Sequence, residues 1–194
     1  RISKLANLDF NIMPVLDNME ELEAYENTII YDCDLGIRIA SEEQPEFQLY
    51  TSRLGIRYKE IKDFYLNKIK PNPKFKLKML HFFINSGIKD NIYYWNELSK
   101  LLKVYVELKR VCPELDSLNI GGGWPFRSSL GFEYDYAYMA EEILNKIKQT
   151  CEEENVSCPN IFTEFGSFTV AESGAFIFSV LAEKHQNDSE RWYM

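Results

Sequence analysis

The sequence is poor in the residues from which metal centres are built. It has two histidines, His81 and His185, and four cysteines, none of which lies in a Cys-x-x-Cys pair. Structural zinc sites need closely spaced cysteine and histidine ligands, so this composition argues against a metal site. The scattered cysteines indicate reduced thiols, as expected of a cytoplasmic protein.

Long apolar runs and an excess of positive charge are also missing. No stretch reaches the roughly 18 apolar residues that a membrane-spanning helix needs, and no signal peptide is visible. The 194 residues include 30 Asp and Glu against 22 Lys and Arg, a formal net charge of -8. Nucleic-acid-binding proteins usually present a basic face, so this balance argues against a nucleic acid as well as a membrane partner.

What the sequence does contain is an alternation of short apolar runs and amphipathic segments. Helices are predicted between the apolar runs, because their apolar residues recur at helical spacing. A long loop is predicted over 41–55, and a short helix followed by a sixth strand over 166–181. Strands are predicted at 11–16, 34–40, 76–84, 117–120 and 160–164.

Five strand–helix repeats predict parallel strands joined by right-handed crossovers. Two α/β architectures fit, an open doubly wound sheet and part of a TIM (β/α)8 barrel. A complete barrel takes about 250 residues, so five to six units would form most of one. Both architectures place functional sites at the carboxyl ends of the strands, where the polar loops of this sequence lie.

Three consecutive glycines, Gly121, Gly122 and Gly123, directly follow the fourth predicted strand. Position 126 is Phe, so the G-x-G-x-x-G fingerprint of dinucleotide-binding proteins fails, and no G-K-[ST] motif of a P-loop is present. Two interpretations remain: a phosphate cradle of free backbone N–H groups, or a tight structural turn. Glu164 likewise fits either a carboxylate that points into a barrel mouth or a surface residue.

In combination, three motifs resemble a known family. They are an H-F-x-x-x-S loop from His81 to Ser86, the strand followed by three glycines, and the strand end Glu164-Phe165-Gly166. Together they resemble the barrel domain of fold-type III pyridoxal-phosphate decarboxylases, which share their barrel with alanine racemase. The resemblance is strongest to bacterial biosynthetic arginine decarboxylases. It implies that 1–180 form part of a pyridoxal-phosphate-binding barrel and that 181–194 lead towards a C-terminal β-domain.

The resemblance implies specific roles at the site. Gly121, Gly122 and Gly123, with Ser86, would bind the phosphate of pyridoxal 5'-phosphate. Glu164 would be the catalytic residue that pairs with the pyridine nitrogen. A carboxylate there raises the pKa of the nitrogen and keeps it protonated, which helps the cofactor to accept the electrons released by decarboxylation. The racemase branch has a basic residue at this position, so Glu164 favours decarboxylation.

Four further positions are identified by the same resemblance. Phe83 stands where the family has a histidine that stacks on the cofactor ring; phenylalanine can stack but cannot titrate. Ser167 stands where the family has an arginine that helps to hold the phosphate, and its hydroxyl is expected to replace that donor in part. Arg53 matches a basic residue that commonly faces the partner subunit, and Arg38 is expected to line the cofactor pocket.

The implied activity is conversion of arginine to agmatine in polyamine biosynthesis, by a cytoplasmic homodimer or higher homo-oligomer. One alternative is a non-catalytic regulatory homologue, suggested by Phe83 and Ser167. Another is a decarboxylase of ornithine, diaminopimelate or carboxynorspermidine. No lysine here lies in a motif that matches the family's cofactor-binding lysine, which we expect on an earlier strand. This chain alone is therefore expected to be inactive.

Overall fold

The fold alternates strands and helices along most of the chain. A computed structural model describes residues 1–8, 10–43, 50–84, 87–127, 131–185 and 188–194. The helices are α1 (Ile2–Ala6), α2 (Glu20–Thr28), α3 (Tyr58–Phe64, continued by a π-helical turn at Tyr65–Ile69), α4 (Ile92–Lys109), α5 (Tyr136–Glu153) and α6 (Gly166–Val170, continued by a 3-10 turn at Ala171–Ser173). The strands are β1 (Val15–Leu16), β2 (Cys33–Arg38), β3 (Glu42–Glu43), β4 (Tyr50–Thr51), β5 (Phe75–His81), β6 (Ser117–Asn119), β7 (Asn160–Phe162), β8 (Glu183–His185) and β9 (Arg191–Tyr193).

The central sheet confirms the predicted parallel α/β architecture. Its five strands run β1-β2-β5-β6-β7 in space, and every pair is parallel. This is also their order along the chain. A doubly wound sheet reverses its strand order at a switch point, whereas barrel strands follow one another without reversal. The sheet is therefore a section of a (β/α)8 barrel.

Two predictions about connecting segments are wrong. The predicted loop over 41–55 contains the antiparallel pair β3–β4, which is too short to leave an alternating pattern in the sequence. The predicted sixth strand is absent: α6 forms, but 174–182 contain no strand, and the strands that follow are the antiparallel hairpin β8–β9. A strand needs a neighbour along its length for its N–H and C=O groups, and within the described residues only the end of the apolar run has one, where the Leu181 N–H donates to the Met194 carbonyl.

The long helices begin at side-chain caps and bury one face. The Asn91 and Asp135 side chains accept the N–H groups of Tyr94 and Tyr138, at the first turns of α4 and α5. One row of side chains on α5 is buried, at a spacing of four residues: Met139, Ile143, Ile147 and Cys151. No helix within the described ranges has the length and apolarity to cross a membrane.

The two faces of the sheet differ sharply in chemistry. Ile37, Leu80 and Leu118 are register partners on β2, β5 and β6, and they join the apolar core formed with the helices. Successive strand residues point to opposite faces, so the next residue on each strand points away from the helices, into the barrel interior. Those residues are polar: Arg38, His81 and Asn119.

Candidate cofactor site

Polar side chains from neighbouring strands meet at the carboxyl edge of the sheet. Arg38, His81 and Asn119 lie side by side because they are in register. Glu164 follows β7 by two residues, and its Oε1 accepts a hydrogen bond of 2.8 Å from Asn119 Nδ2. His81 Nε2 lies 3.7 Å from the same oxygen. At the other end of the row, Arg38 pairs with Asp17, which follows β1, at 3.7 Å.

His81 is buried at the centre of this row without a hydrogen-bond partner for Nε2 among the described residues. Burial lowers the pKa of its imidazole, and Arg38 adds to that lowering. The Glu164 carboxylate acts in the opposite direction but does not outweigh burial. The imidazole is therefore neutral at neutral pH, with one ring nitrogen available to a group bound at the strand ends.

The glycine run forms a turn that only glycine fits. Gly121 and Gly123 have positive φ angles of 71° and 95°, a region that favours glycine. A Cβ atom at Gly122 would collide with the carbonyl oxygen of Glu164. Within the described residues, the N–H groups of Gly122 and Gly123 have no protein acceptor. The turn thus presents two bare, unpaired donors beside Glu164, which suits a phosphate group.

The loops on either side close around this turn. Gly123 accepts a hydrogen bond of 2.9 Å from the Ile88 N–H, which belongs to the loop after β5. Phe83, in the same loop, is half-buried, and its Cδ2 would lie 3.4 Å from a Cβ atom at Gly121. Gly121 accepts a bond of 2.8 Å from the Glu164 N–H. The turn is therefore held by both neighbouring strand ends.

The structure brings together most of the residues predicted for the site. The glycine turn, Phe83 and Glu164 lie in contact, and Arg38 stands at the end of the same polar row. Ser86 lies outside the described residues. Ser167 is an exposed residue in the first turn of α6, and none of the contacts described here joins it to the glycine turn. Its predicted role with the phosphate stays a prediction.

Asn119 was missed by sequence reasoning. It is 9 % exposed and touches both the glycine turn and Glu164. The signal that could have found it is a polar amide at the end of a short strand, two residues before the first glycine.

A cluster of aromatic rings beside the turn was missed as well. Trp124 stacks on Phe165 with ring centroids 4.6 Å apart, which joins the loop after the glycines to the residue after Glu164. Further rings surround this pair: Tyr134, Tyr136 and Phe168. The cluster packs the glycine turn and the turn at Glu164, the two functional turns of the site, against each other.

A groove of about 740 Å³ lies elsewhere, between α2 and α3. Its polar lining is mainly acidic, and it includes Glu23, Glu60 and Asp63. It contains none of the residues at the strand ends. The glycine turn and Glu164 mark the site more convincingly than this groove, because parallel α/β folds place their chemistry at the carboxyl ends of the strands.

Comparisons with known proteins agree with this geometry. The family model described as "Pyridoxal-dependent decarboxylase, pyridoxal binding domain" matches residues 2–171. A biosynthetic arginine decarboxylase from Pelobacter propionicus is 33% identical over 124 residues, which cover 57% of this chain and 19% of that protein. The chain thus spans about a fifth of the length of such relatives.

Two solved structures share the fold at lower identity. The biosynthetic arginine decarboxylase of Campylobacter jejuni superposes with a TM-score of 0.66 at 23% identity, over 84% of this chain and 28% of that one. The diaminopimelate decarboxylase of Helicobacter pylori, in complex with L-lysine, gives a TM-score of 0.74 at 23% identity, over 99% of this chain and 48% of that one. At these identities the match speaks for the barrel fold alone.

Proposed function

Because the chain belongs to the pyridoxal-dependent decarboxylases and matches their pyridoxal-binding domain, we propose that it binds pyridoxal 5'-phosphate at the glycine turn and Glu164. The bound cofactor would serve the decarboxylation of a basic amino acid. Arginine is the favoured substrate. One observation carries the proposal: the N–H groups of Gly122 and Gly123, which have no acceptor among the described residues, lie beside a carboxylate that the Asn119 side chain holds in place.

The glycine turn fits the phosphate end of the cofactor. Two free N–H groups can donate to phosphate oxygens, and the missing side chains allow the oxygens to approach the backbone. The contact between Gly122 and the Glu164 carbonyl leaves no room for a larger residue. We therefore assign the cradle to Gly121, Gly122 and Gly123, with Ser86 as a further donor.

Glu164 fits the ring nitrogen. Its side chain is 52% exposed, so a ligand can reach it. Oε1 is held by Asn119, and Oε2 has no hydrogen bond within the described residues, so it can accept the N–H of a protonated pyridine. When bound, pyridoxal phosphate supplies the electron sink for decarboxylation, and the carboxylate keeps the proton on the ring nitrogen.

Phe83 and Arg38 complete the proposed pocket. Phe83 borders the glycine turn and offers an aromatic face for the cofactor ring. Arg38 is already paired with Asp17, so we assign it to the pocket wall and not to the phosphate. The preference for arginine rests on the names of the relatives, and ornithine, diaminopimelate and carboxynorspermidine remain the alternatives to be tested.

A second copy of the chain is the proposed partner. Large apolar side chains after α6 are exposed, among them Phe176 at 91%, Ile177 at 96% and Leu181 at 87%. Exposed apolar patches commonly mark association sites. Sedimentation velocity of the chain and of Ile177→Glu tests this proposal: we expect self-association that the charged residue weakens, and a concentration-independent monomer would refute it.

Titration with pyridoxal 5'-phosphate, followed by tryptophan fluorescence, tests the cofactor proposal. We expect saturable binding that Gly122→Ala weakens at least about tenfold, because the added Cβ collides with a backbone oxygen. Gly131→Ala is the matched control, since a Cβ atom there meets nothing within 4 Å. A wild-type chain that binds no cofactor would refute the proposal and favour the non-catalytic regulatory homologue.

Substrate choice is tested in protein that also carries the family's cofactor-binding lysine. Release of carbon dioxide from arginine is compared with release from ornithine, diaminopimelate and carboxynorspermidine. We expect the highest kcat/KM for arginine. A higher value for any of the other three would overturn the choice of arginine while leaving the decarboxylase proposal intact.

A further inference from the structure

Asn119 uses both ends of its side-chain amide, and each end faces a different part of the site. Oδ1 accepts the N–H of Gly121 at 2.8 Å. Nδ2 donates to Glu164 Oε1 at 2.8 Å. The side chain is therefore bonded at once to the proposed phosphate cradle and to the proposed partner of the ring nitrogen.

The chemistry of the partners fixes the orientation of this amide. A backbone N–H needs an acceptor, so it takes the carbonyl oxygen of Asn119, and a carboxylate needs a donor, so it takes the amide nitrogen. Leucine, of similar size, could make neither bond. With only 9 % of Asn119 exposed, water competes poorly for these bonds, and both gain strength from the low local dielectric.

The backbone reinforces the same connection. The N–H of Glu164 donates to the Gly121 carbonyl at 2.8 Å, and Gly122 touches the Glu164 carbonyl. These contacts align the two turns but leave the Glu164 carboxylate free to rotate. Among the hydrogen bonds of the described residues, only the one from Asn119 orients that carboxylate.

We propose that Asn119 is a positioning residue that sets the carboxylate of Glu164 relative to the glycine turn, and this inference rests on the proposed function. The phosphate arm and the ring nitrogen of the cofactor are attached to one rigid pyridine ring. Their two protein partners must therefore keep a fixed separation and direction. A side chain bonded to both partners makes them a single preorganised unit.

The test uses pyridoxamine 5'-phosphate, which lacks the aldehyde and cannot react with surface lysines. Its ring nitrogen, labelled with nitrogen-15, reports protonation by NMR as the pH is varied. Comparison of its affinity with that of pyridoxamine measures the contribution of the phosphate. The two readouts report on the two ends of the cofactor separately, and a purely structural residue would move neither.

We expect Asn119→Ala to lower the proton affinity of the bound ring nitrogen about tenfold and the phosphate contribution about tenfold. Ser117→Ala is the matched control, because Ser117 is a buried polar residue on the same face of β6 whose side chain bonds Asp116 and not the site. This variant should leave both readouts unchanged. A folded Asn119→Ala variant with wild-type values would overturn the inference.

Two further variants separate the two bonds of Asn119. Asn119→Asp keeps the acceptor for Gly121, so the phosphate contribution should stay within about twofold of wild type, even if Asn119→Ala fails to fold. In a Glu164→Gln background, Asn119→Ala should produce no further change at the ring nitrogen. A phosphate contribution lost in Asn119→Asp, or an additional ring-nitrogen change in the double variant, would refute the role of Asn119.

These results also distinguish the inference from the proposed function. If the wild-type chain binds no pyridoxamine 5'-phosphate, both the proposed cofactor site and the positioning role of Asn119 are refuted. If the wild-type chain binds it with a protonated ring nitrogen and Asn119→Ala does the same, only the positioning role fails.

Discussion

Successive residues on each strand of the central sheet point to opposite faces, and the two faces differ in the polarity of their side chains. On the helix face, Ile37, Leu80 and Leu118 are each 0% exposed within the apolar core. On the interior face, the next residues along the strands carry the polar row that ends at Glu164. The same strands therefore serve stability on one side and ligand chemistry on the other.

The two faces also differ in the polarity of the side chains that the strands place on them. The helix-face row of Ile37, Leu80 and Leu118 has no polar side chain, whereas the interior face contains the His81 imidazole, whose Nε2 has no hydrogen-bond partner among the described residues. A buried polar atom without a hydrogen bond is costly wherever it lies, and the helix side has one too, because the Tyr94 hydroxyl on α4 is buried without a partner among the described residues. The predictions below test the division between the two faces.

Truncation on the helix face should give the largest effect. Leu118→Ala removes a fully buried side chain and leaves a cavity, which should lower the free energy of unfolding by about 2–5 kcal/mol. Urea denaturation measures the loss, and Leu144→Ala, at an exposed site on α5, should change it by less than about 0.5 kcal/mol. We expect the folded Leu118→Ala protein to bind the cofactor with unchanged affinity. A large loss of affinity would show that the helix face also contributes to ligand binding.

Trp124→Leu, beside the mouth of the site, should have an intermediate effect. It removes the stacking on Phe165 and should cost about 1–2 kcal/mol of stability. Unlike the helix-face change, it should also weaken cofactor binding, because the stack holds the two functional turns together. Unchanged affinity would mean that the cluster serves stability alone.

The buried imidazole of His81 should make stability depend on pH. Its pKa is lowered in the folded protein, so the unfolded chain binds more protons below the ordinary histidine pKa of about 6.5, and stability falls as the pH decreases through that range. His81→Gln should flatten this part of the profile, measured as urea midpoints across pH. His185→Gln, at an exposed side chain, is the control. If the urea midpoint changed with pH by the same slope in wild type and His81→Gln, the lowered pKa of His81 in the folded protein would be contradicted.

Phe83→Leu should give the smallest effect. The leucine keeps an apolar side chain but loses the aromatic face, so stability should hardly change and affinity for pyridoxal 5'-phosphate should fall about two- to tenfold. Calorimetric titration measures the affinity. No loss of affinity would show that Phe83 does not contact the ring.

The alternation of parallel strands and helices could be predicted from the sequence, as could several of the residues that the structure brings together at the candidate site. Apolar runs locate the parallel strands, and the glycines with Glu164 mark two neighbouring strand ends. The β3–β4 pair was missed because two-residue strands leave no periodic pattern. The apolar run after α6 was predicted as a strand, but apolarity alone does not supply the neighbouring strand that its backbone would need.

The sequence by itself determined the local elements and the residue types at the strand ends, because helix and strand periodicities and glycine conformations are properties of short segments. Only the tertiary structure decided which strand ends meet. Asn119 reaches Glu164 across 45 residues of sequence because β6 pairs with β7 in one register, and a shift of one residue would turn Asn119 to the helix face. Such long-range pairing depends on the packing of the whole sheet, which no local pattern encodes.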